Sequence, residues 1–240
     1  MDALAEIAAI VRSRRAERRT VVVGIAGAVA SGKSTLAVQV RDALVPLGAD
    51  VVSTDGFLLD NATLEARGLL VHKGFPDSYD VEAMTRFVTA VRAGTARVPA
   101  PVYSHEIYDV LPDRHQIVDR PDVVIIEGVN VLSALASLLD LRVYLDADEA
   151  DLEAWYVKRF FDLVDEARHD PASFYSAFAT MPPDQVRAAA RSVWRGVNLV
   201  NLREFIAPSR ALADCVVSKD HDHSVRDLWL REGRDRPCNR

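Results

Sequence analysis

With 240 residues, 49% of them hydrophobic, the chain has the material for one sizeable core. A formal net charge of −6 and a pI near 5.5 argue against nucleic acid or an anionic membrane as partner, because there is no basic field to attract phosphodiesters. No stretch reaches the ~18 apolar residues of a membrane span, and Met1-Asp-Ala-Leu-Ala-Glu6 lacks the basic and apolar regions of a secretory leader. Cys215 and Cys238 have neither metal-like nor redox-like spacing and read as reduced thiols of a cytoplasmic protein.

In chain order, Leu4, Ile7, Ala8 and Val11 recur at helical spacing and predict an amphipathic helix over residues 2–18. Arg12, Arg14, Arg15, Arg18 and Arg19 would form its solvated face. Val21 to Gly27 is a buried-strand pattern that breaks into Gly27-Ala28-Val29-Ala30-Ser31-Gly32-Lys33-Ser34-Thr35, a match to G-x-x-x-x-G-K-[ST]. Chance supplies such a match in roughly one chain in a hundred of this length. A strand that ends in a glycine loop, followed by a helix N-terminus, aims backbone N–H groups inward and makes a phosphate site. Lys33 would reach the outer phosphates and the Ser34 hydroxyl would join a Mg²⁺ shell. A helix is predicted over 33–44, ended by Pro46 and Gly48.

Asp50 to Asp55 is a β-branched run ending on a carboxylate. Ligands of open α/β sheets sit outside the carboxyl ends of the strands, which favours chemistry at Asp55 over the simpler reading of a turn cap with Gly56. Phe57 to Tyr79 is rich in Gly, Asp and aromatic residues and reads as a partly helical excursion over the same face. A helix over 81–92, ended by Gly94, leads to a Pro-rich segment from Val98 to Pro112. It reads as irregular, extended backbone carrying Tyr103, His105 and Tyr108; substrate contact and ordinary solvation stay equally open for this histidine.

Asp122 to Gly128 is a continuous apolar run ending on Glu127, a Walker B type pattern in which the carboxylate approaches Mg²⁺. Leu141 to Ala147 is a fourth strand and Ala213 to Val217 a fifth candidate. Strands separated by helices predict α/β architecture, a parallel sheet sandwiched between helices in a single domain. From Asp148 a helix places Trp155, Tyr156 and Arg159 on one face. Residues 156–183, polar and aromatic with Pro171, Pro182 and Pro183 toward the end, suit a lid. A further helix over 184–202 carries Arg187, Arg191, Arg195, Asn198 and Asn201; most such arginines are solvated, one or two close to phosphate. His221 and His223 lack a third fixed ligand and read as surface residues more readily than as a metal site.

Together these residues resemble the type I bacterial pantothenate kinases, within the uridine kinase and phosphoribulokinase group of P-loop kinases. The resemblance covers about residues 21 to 231 and rests on the glycine loop, Thr54-Asp-Gly-Phe57, Lys73-Gly-Phe-Pro-Asp-Ser-Tyr-Asp80, Pro101-Val-Tyr-Ser-His105, Ile126-Glu-Gly-Val-Asn130, Trp155-Tyr-Val-Lys-Arg-Phe160 and Trp194-Arg-Gly-Val-Asn198. It implies a helical lid and ATP-dependent phosphorylation of pantothenate's primary hydroxyl, the first step toward coenzyme A. It also implies Asp55 as the catalytic carboxylate, Lys33 and Arg159 as neutralising cations, and Ser34 with Glu127 at Mg²⁺. Tyr103, His105, Tyr108, Tyr156, Phe160 and Asn198 would hold the acceptor, His223 would lie near the adenine, and the protein would be a homodimer.

The chain departs from the family pattern in three places. Only 20 residues precede Val21, and Val38 replaces an arginine tied to coenzyme A feedback. Leu163 and Arg168 stand where an aromatic wall is expected. With Phe57-Leu-Leu-Asp-Asn61, which leans toward the nucleoside kinases, they keep another hydroxyl acceptor such as uridine or a sugar open. A GTPase-type switch is disfavoured because no Asn-Lys pair exists to begin a guanine-reading motif. Retention of Lys33, Ser34, Asp55, Glu127 and Arg159 weighs against a non-catalytic relative.

Overall fold

The computed structural model describes residues 2–231. Cys238 lies outside the described residues. Among the described residues there are eight strands: β1 (Val21–Gly27), β2 (Ala49–Ser53), β3 (Val98–Ser104), β4 (Asp109–Val118), β5 (Val123–Glu127), β6 (Leu141–Asp146), β7 (Cys215–Lys219) and β8 (Val225–Leu230). The principal helices are α1 (Ala3–Glu17), α2 (Lys33–Ala43), α3 (Asn61–Ala66), α4 (Val81–Arg92), α5 (Val131–Ala134), α6 (Glu149–Ala167) and α7 (Pro183–Val193).

Six strands form one sheet in the order β2-β5-β1-β6-β7-β8, with every neighbouring pair parallel except β7 and β8. β1 is buried along its whole length because helices cover both faces. Its odd positions Val21, Val23 and Ile25 join α1 and α2 in one core, while Val22 and Ala26 join Phe87, Leu132 and Trp155 in the other. β5 repeats this alternation, with Val123 and Ile125 facing α2. Glu127 continues that side of the strand, so the period of two delivers its carboxylate toward the start of α2.

Arg12, Arg18 and Arg19 are exposed as expected, and Arg14 and Arg15 correct the expectation of a merely solvated face. Arg14 is buried and donates to the Asp140 carbonyl, Arg15 pairs with Asp122, and Arg18 pairs with Asp140. They fasten α1 across the end of the sheet opposite the glycine loop.

One further expectation is corrected. The Pro-rich segment is an antiparallel hairpin of β3 and β4, separate from the main sheet, with its register shifting between Pro101 and Val102. Its prolines are tolerated because a two-stranded ribbon consists only of edges. The helix expected over 184–202 is present and runs on, with α-helical winding at Pro183–Val193 giving way to π-helical stretches at Trp194–Asn198 and Leu202–Ile206. Of the segment 156–183, residues up to Ala167 belong to α6, which buries Val157, Phe160 and Val164 against Val186 and Ala190 of α7.

Candidate active site

The glycine loop leaves β1 at the centre of the sheet and enters α2, whose N-cap is Gly32. Ala30 and Gly32 both adopt left-handed backbone, at φ 63° and 88°. Val29 and Ala30 pack against the core, and the buried Lys33 turns its ammonium back onto the Ala28 carbonyl at 2.9 Å. Ser34 Oγ donates to Glu127 Oε1 at 3.0 Å, which joins α2 to the end of β5. Two hard oxygen donors beside the Lys33 ammonium are a donor set that fits Mg²⁺ bound with a phosphate chain.

Asp55 stands in a 3-10 turn after β2, where Ser53 caps the turn through Asp55 N. Gly56 lies so close to the Pro101 carbonyl that any Cβ would collide with it, and this contact seats the hairpin over the Asp55 turn. Burial raises the Asp55 carboxyl above its ordinary value, while Lys33, Arg159, Lys73 and a hydrogen bond from Tyr79 oppose the rise. Burial likewise raises Glu127, opposed chiefly by Lys33. The crevice thus holds two crowded carboxyls facing cations from three separate elements.

Arg159 reaches across from α6 to within 3.4 Å of His105 Nε2. Loss of hydration and then the adjacent guanidinium lower the His105 imidazole below its ordinary value, which favours its neutral form. Tyr103 stands edge-on to His105 at 5.2 Å, and Tyr108 stacks on Phe174 at 4.5 Å. Tyr156 packs on Trp194 and on Phe160, and the Asn198 side chain acts on its phenol. Burial pushes the Tyr108 phenol up to about 12 and raises those of Tyr103 and Tyr156 further, so all three are neutral. His223 lies apart from this cluster, on the turn after β7, with its ring stacked on Trp155 at 3.8 Å.

Several participants escaped the reading of the sequence. Lys73, its side chain 3% exposed, donates to Asn61 Oδ1 and to the Tyr108 carbonyl, each at 2.6 Å, beneath the rings of Tyr103 and Tyr108. Tyr79 meets Asp55. Tyr175 and Phe178 stand edge-on to Phe160 at 5.5 and 5.1 Å, so the segment after α6 supplies aromatic rings that Leu163 and Arg168 do not. Asn130 and Asn201 both donate to the Gly74 carbonyl at 2.9 Å, clasping the loop that carries Lys73. Arg191 and Arg195 pair with Glu153 and Arg187 lies over Phe161, so these arginines serve the contact between α6 and α7. The signal for Lys73 lay in its Lys-Gly-Phe-Pro setting, but its partners come from Asn61 at the start of α3 and from the β3–β4 hairpin.

The family model for phosphoribulokinase / uridine kinase matches residues 22–160. A pantothenate kinase of Sorangium cellulosum is 46% identical over 227 residues, covering 89% of this chain and 73% of its own. One of Allorhizobium ampelinum is 43% identical over 227 residues, covering 88% and 69%. The crystal structure of a protein from Silicibacter sp. TM1040, provisionally named a fructose transport system kinase, superposes with a TM-score of 0.70 at 30% identity, covering 85% of this chain and 93% of that one. A D-glycerate 3-kinase from Cryptococcus neoformans shares the fold at 15% identity, with a TM-score of 0.65 over 96% of this chain and 100% of its own. The chain is an ATP-dependent kinase that belongs to the phosphoribulokinase / uridine kinase family, in the branch formed by its pantothenate kinase relatives.

Proposed function

We propose that the protein transfers the γ-phosphoryl group of ATP to the primary hydroxyl of pantothenate, giving 4'-phosphopantothenate. The observation that supports this reading is that Asp55 feels both Lys33 of the glycine loop and Arg159 of α6, while Arg159 also meets His105 beside Tyr103; Tyr108, Tyr156, Phe160 and Asn198 would complete the acceptor side.

Phosphoryl transfer is dominated by in-line positioning and charge neutralisation. Asp55 would accept a hydrogen bond from the attacking hydroxyl and then its proton, while Lys33 and Arg159 neutralise charge on the moving phosphoryl group. The backbone of residues 27–35 would hold the phosphate chain, and His223 would stand near the adenine. Mg²⁺ bound with the nucleotide would be held by Ser34 and Glu127, and it supplies neutralisation of the phosphoryl oxygens. The neutral imidazole of His105, the phenols of Tyr103, Tyr108 and Tyr156 and the amide of Asn198 offer donors and acceptors to the hydroxyls, amide and carboxylate of the acceptor. Phe160 would pack on its apolar stem. Residues 168–182, between α6 and α7, are read as the moving part of the lid within a single kinase domain.

The acidic balance supports an absence of nucleic-acid partners, and the resemblance to the pantothenate kinases supports a cytoplasmic homodimer, which sedimentation would check. No helix among the described residues is long and apolar enough to cross a membrane.

ATP consumption with pantothenate, pantetheine, uridine, D-fructose and D-glycerate tests the assignment. Turnover with pantothenate at the highest kcat/KM is expected. Turnover of another acceptor without turnover of pantothenate would overturn the substrate and keep the reaction type.

A further inference from the structure

The glycine loop is met by a second lysine from the opposite end of the chain. Lys219 closes β7, is 8% exposed, and donates from Nζ to the Ser31 carbonyl at 3.0 Å. Its ammonium lies over the cap of α2: a Cβ on Gly32 would come within 2.7 Å of Lys219 Nζ. Gly32 is favoured by its positive φ, and its missing Cβ leaves the space in which this ammonium lies.

The charge of Lys219 is not balanced. Among the described residues it enters no ion pair, its ammonium donates to a carbonyl, and the charged group acting on it is the Lys33 ammonium. Lys33 folds back on Ala28, so two desolvated ammonium groups hold the two ends of one loop, next to the positive end of α2. A buried cation facing another cation and a helix N-terminus is costly unless an anion joins them. Ser31 adds a second sign of a missing ligand, since its hydroxyl is buried without a hydrogen-bond partner.

The hairpin that carries Lys219 is itself held in place. Trp155 Nε1 donates to the His221 carbonyl at 2.8 Å and its ring stacks on His223, which fixes the turn after β7 to the helix that bears Arg159. Lys219 is thereby pre-positioned rather than recruited from solvent.

We propose that Lys219 is a second phosphate-binding lysine of the nucleotide site, set to contact the diphosphate portion shared by ADP and ATP and to hold the Ser31 to Gly32 peptide in the shape that cradles it. The proposal rests on the reading of residues 27–35 as the nucleotide-phosphate cradle. Lys33, at the Ala28 end, is left to the terminal phosphate of ATP. The ammonium has three N–H donors, of which the Ser31 carbonyl takes one, so the lysine can keep its grip on the loop while it binds phosphate.

The test is calorimetric titration of the full-length protein with MgADP and with adenosine, for wild type, Lys219→Arg, Lys219→Gln and Lys219→Met. Loss of a hydrogen bond to a charged group predicts roughly 10- to 100-fold weaker MgADP binding for Gln and Met. Adenosine binding should be unchanged in both, and Arg should stay within about 5-fold of wild type because it keeps the charge. The Gln variant retains a donor for the Ser31 carbonyl, so a purely structural role predicts near-normal MgADP affinity for Gln and a loss for Met alone. That pattern, or MgADP binding unaltered in every variant, overturns the proposal. A Met variant that fails to fold leaves the Gln and Arg comparison to decide. Absence of MgADP binding by the wild type would instead remove the cradle reading itself.

Discussion

Ser34 and Glu127 are joined by a hydrogen bond of 3.0 Å, so the first turn of α2 and the end of β5 form one unit. The link follows from the strand period: Val123 and Ile125 are buried beneath α2, and the next residue on that side of β5 is the carboxylate. Replacing Glu127 with Gln keeps the shape and the acceptor oxygen but removes the charge. If the pair holds Mg²⁺, kcat should fall by roughly 100-fold or more and the Mg²⁺ concentration for half-maximal rate should rise. Steady-state assays over a Mg²⁺ series check this, and an unchanged Mg²⁺ dependence would count against the assignment.

Asp55 is a site where stability and activity oppose each other. Its carboxyl is raised by burial, so the folded protein holds a proton at pH values where the unfolded chain has lost it. Stability associated with this group therefore falls as pH rises from the ordinary carboxylate value through the raised one. Asp55→Asn should raise the melting temperature of the ligand-free protein at about pH 7.5, by roughly 2–4 °C for each kcal/mol relieved, and the gain should shrink toward about pH 4. The same variant should lose roughly 1,000-fold or more in kcat with MgADP affinity retained. Calorimetric scans at the two pH values, beside turnover assays, test both halves.

Lys73 joins the excursion after β2 to the β3–β4 hairpin. Its ammonium is enclosed by Asn61, the Tyr108 carbonyl and two tyrosine rings, and it also faces Asp55. Lys73→Met should lower kcat/KM for the acceptor by roughly 100-fold and leave the KM for ATP within about 2-fold, because the nucleotide loop is built from other elements. Equal losses for both substrates would mean that the variant has disturbed the whole crevice.

The parts of the fold that could be read from the sequence are those whose cause is local. β1 and β5 are continuous apolar runs because both faces of the sheet are covered, and the glycine loop carries its function in its spacing. The hairpin was hidden because Pro99, Pro101 and Pro112 speak against strands, although a ribbon of edges accepts them. Lys73, Tyr79 and Lys219 acquire their roles from partners on other elements, and no periodicity records such meetings. The aromatic wall was hidden for another reason. Leu163 and Arg168 occupy the expected positions, while Tyr175 and Phe178 reach Phe160 from a segment that reads as lid.

The clasp on Gly74 yields a prediction about coupling. Asn130 follows β5, Asn201 lies between the two π-helical stretches three residues after Asn198, and both amides donate to one carbonyl beside Lys73. Both side-chain oxygens are buried without partners, which is a stability cost accepted for position. π-Helical turns often occur where a helix is bent to serve a site, and here the irregular winding brings Asn201 to the same carbonyl as Asn130. Asn130→Leu and Asn201→Leu should each cost about 1–3 kcal/mol in denaturant unfolding, and the double variant should differ from the sum by more than about 0.5 kcal/mol, since the second amide lost leaves the carbonyl bare. Each single variant should raise the acceptor KM more than the ATP KM, because the loop it loosens holds Lys73. Strict additivity in unfolding together with an unchanged acceptor KM would reduce the clasp to two independent contacts.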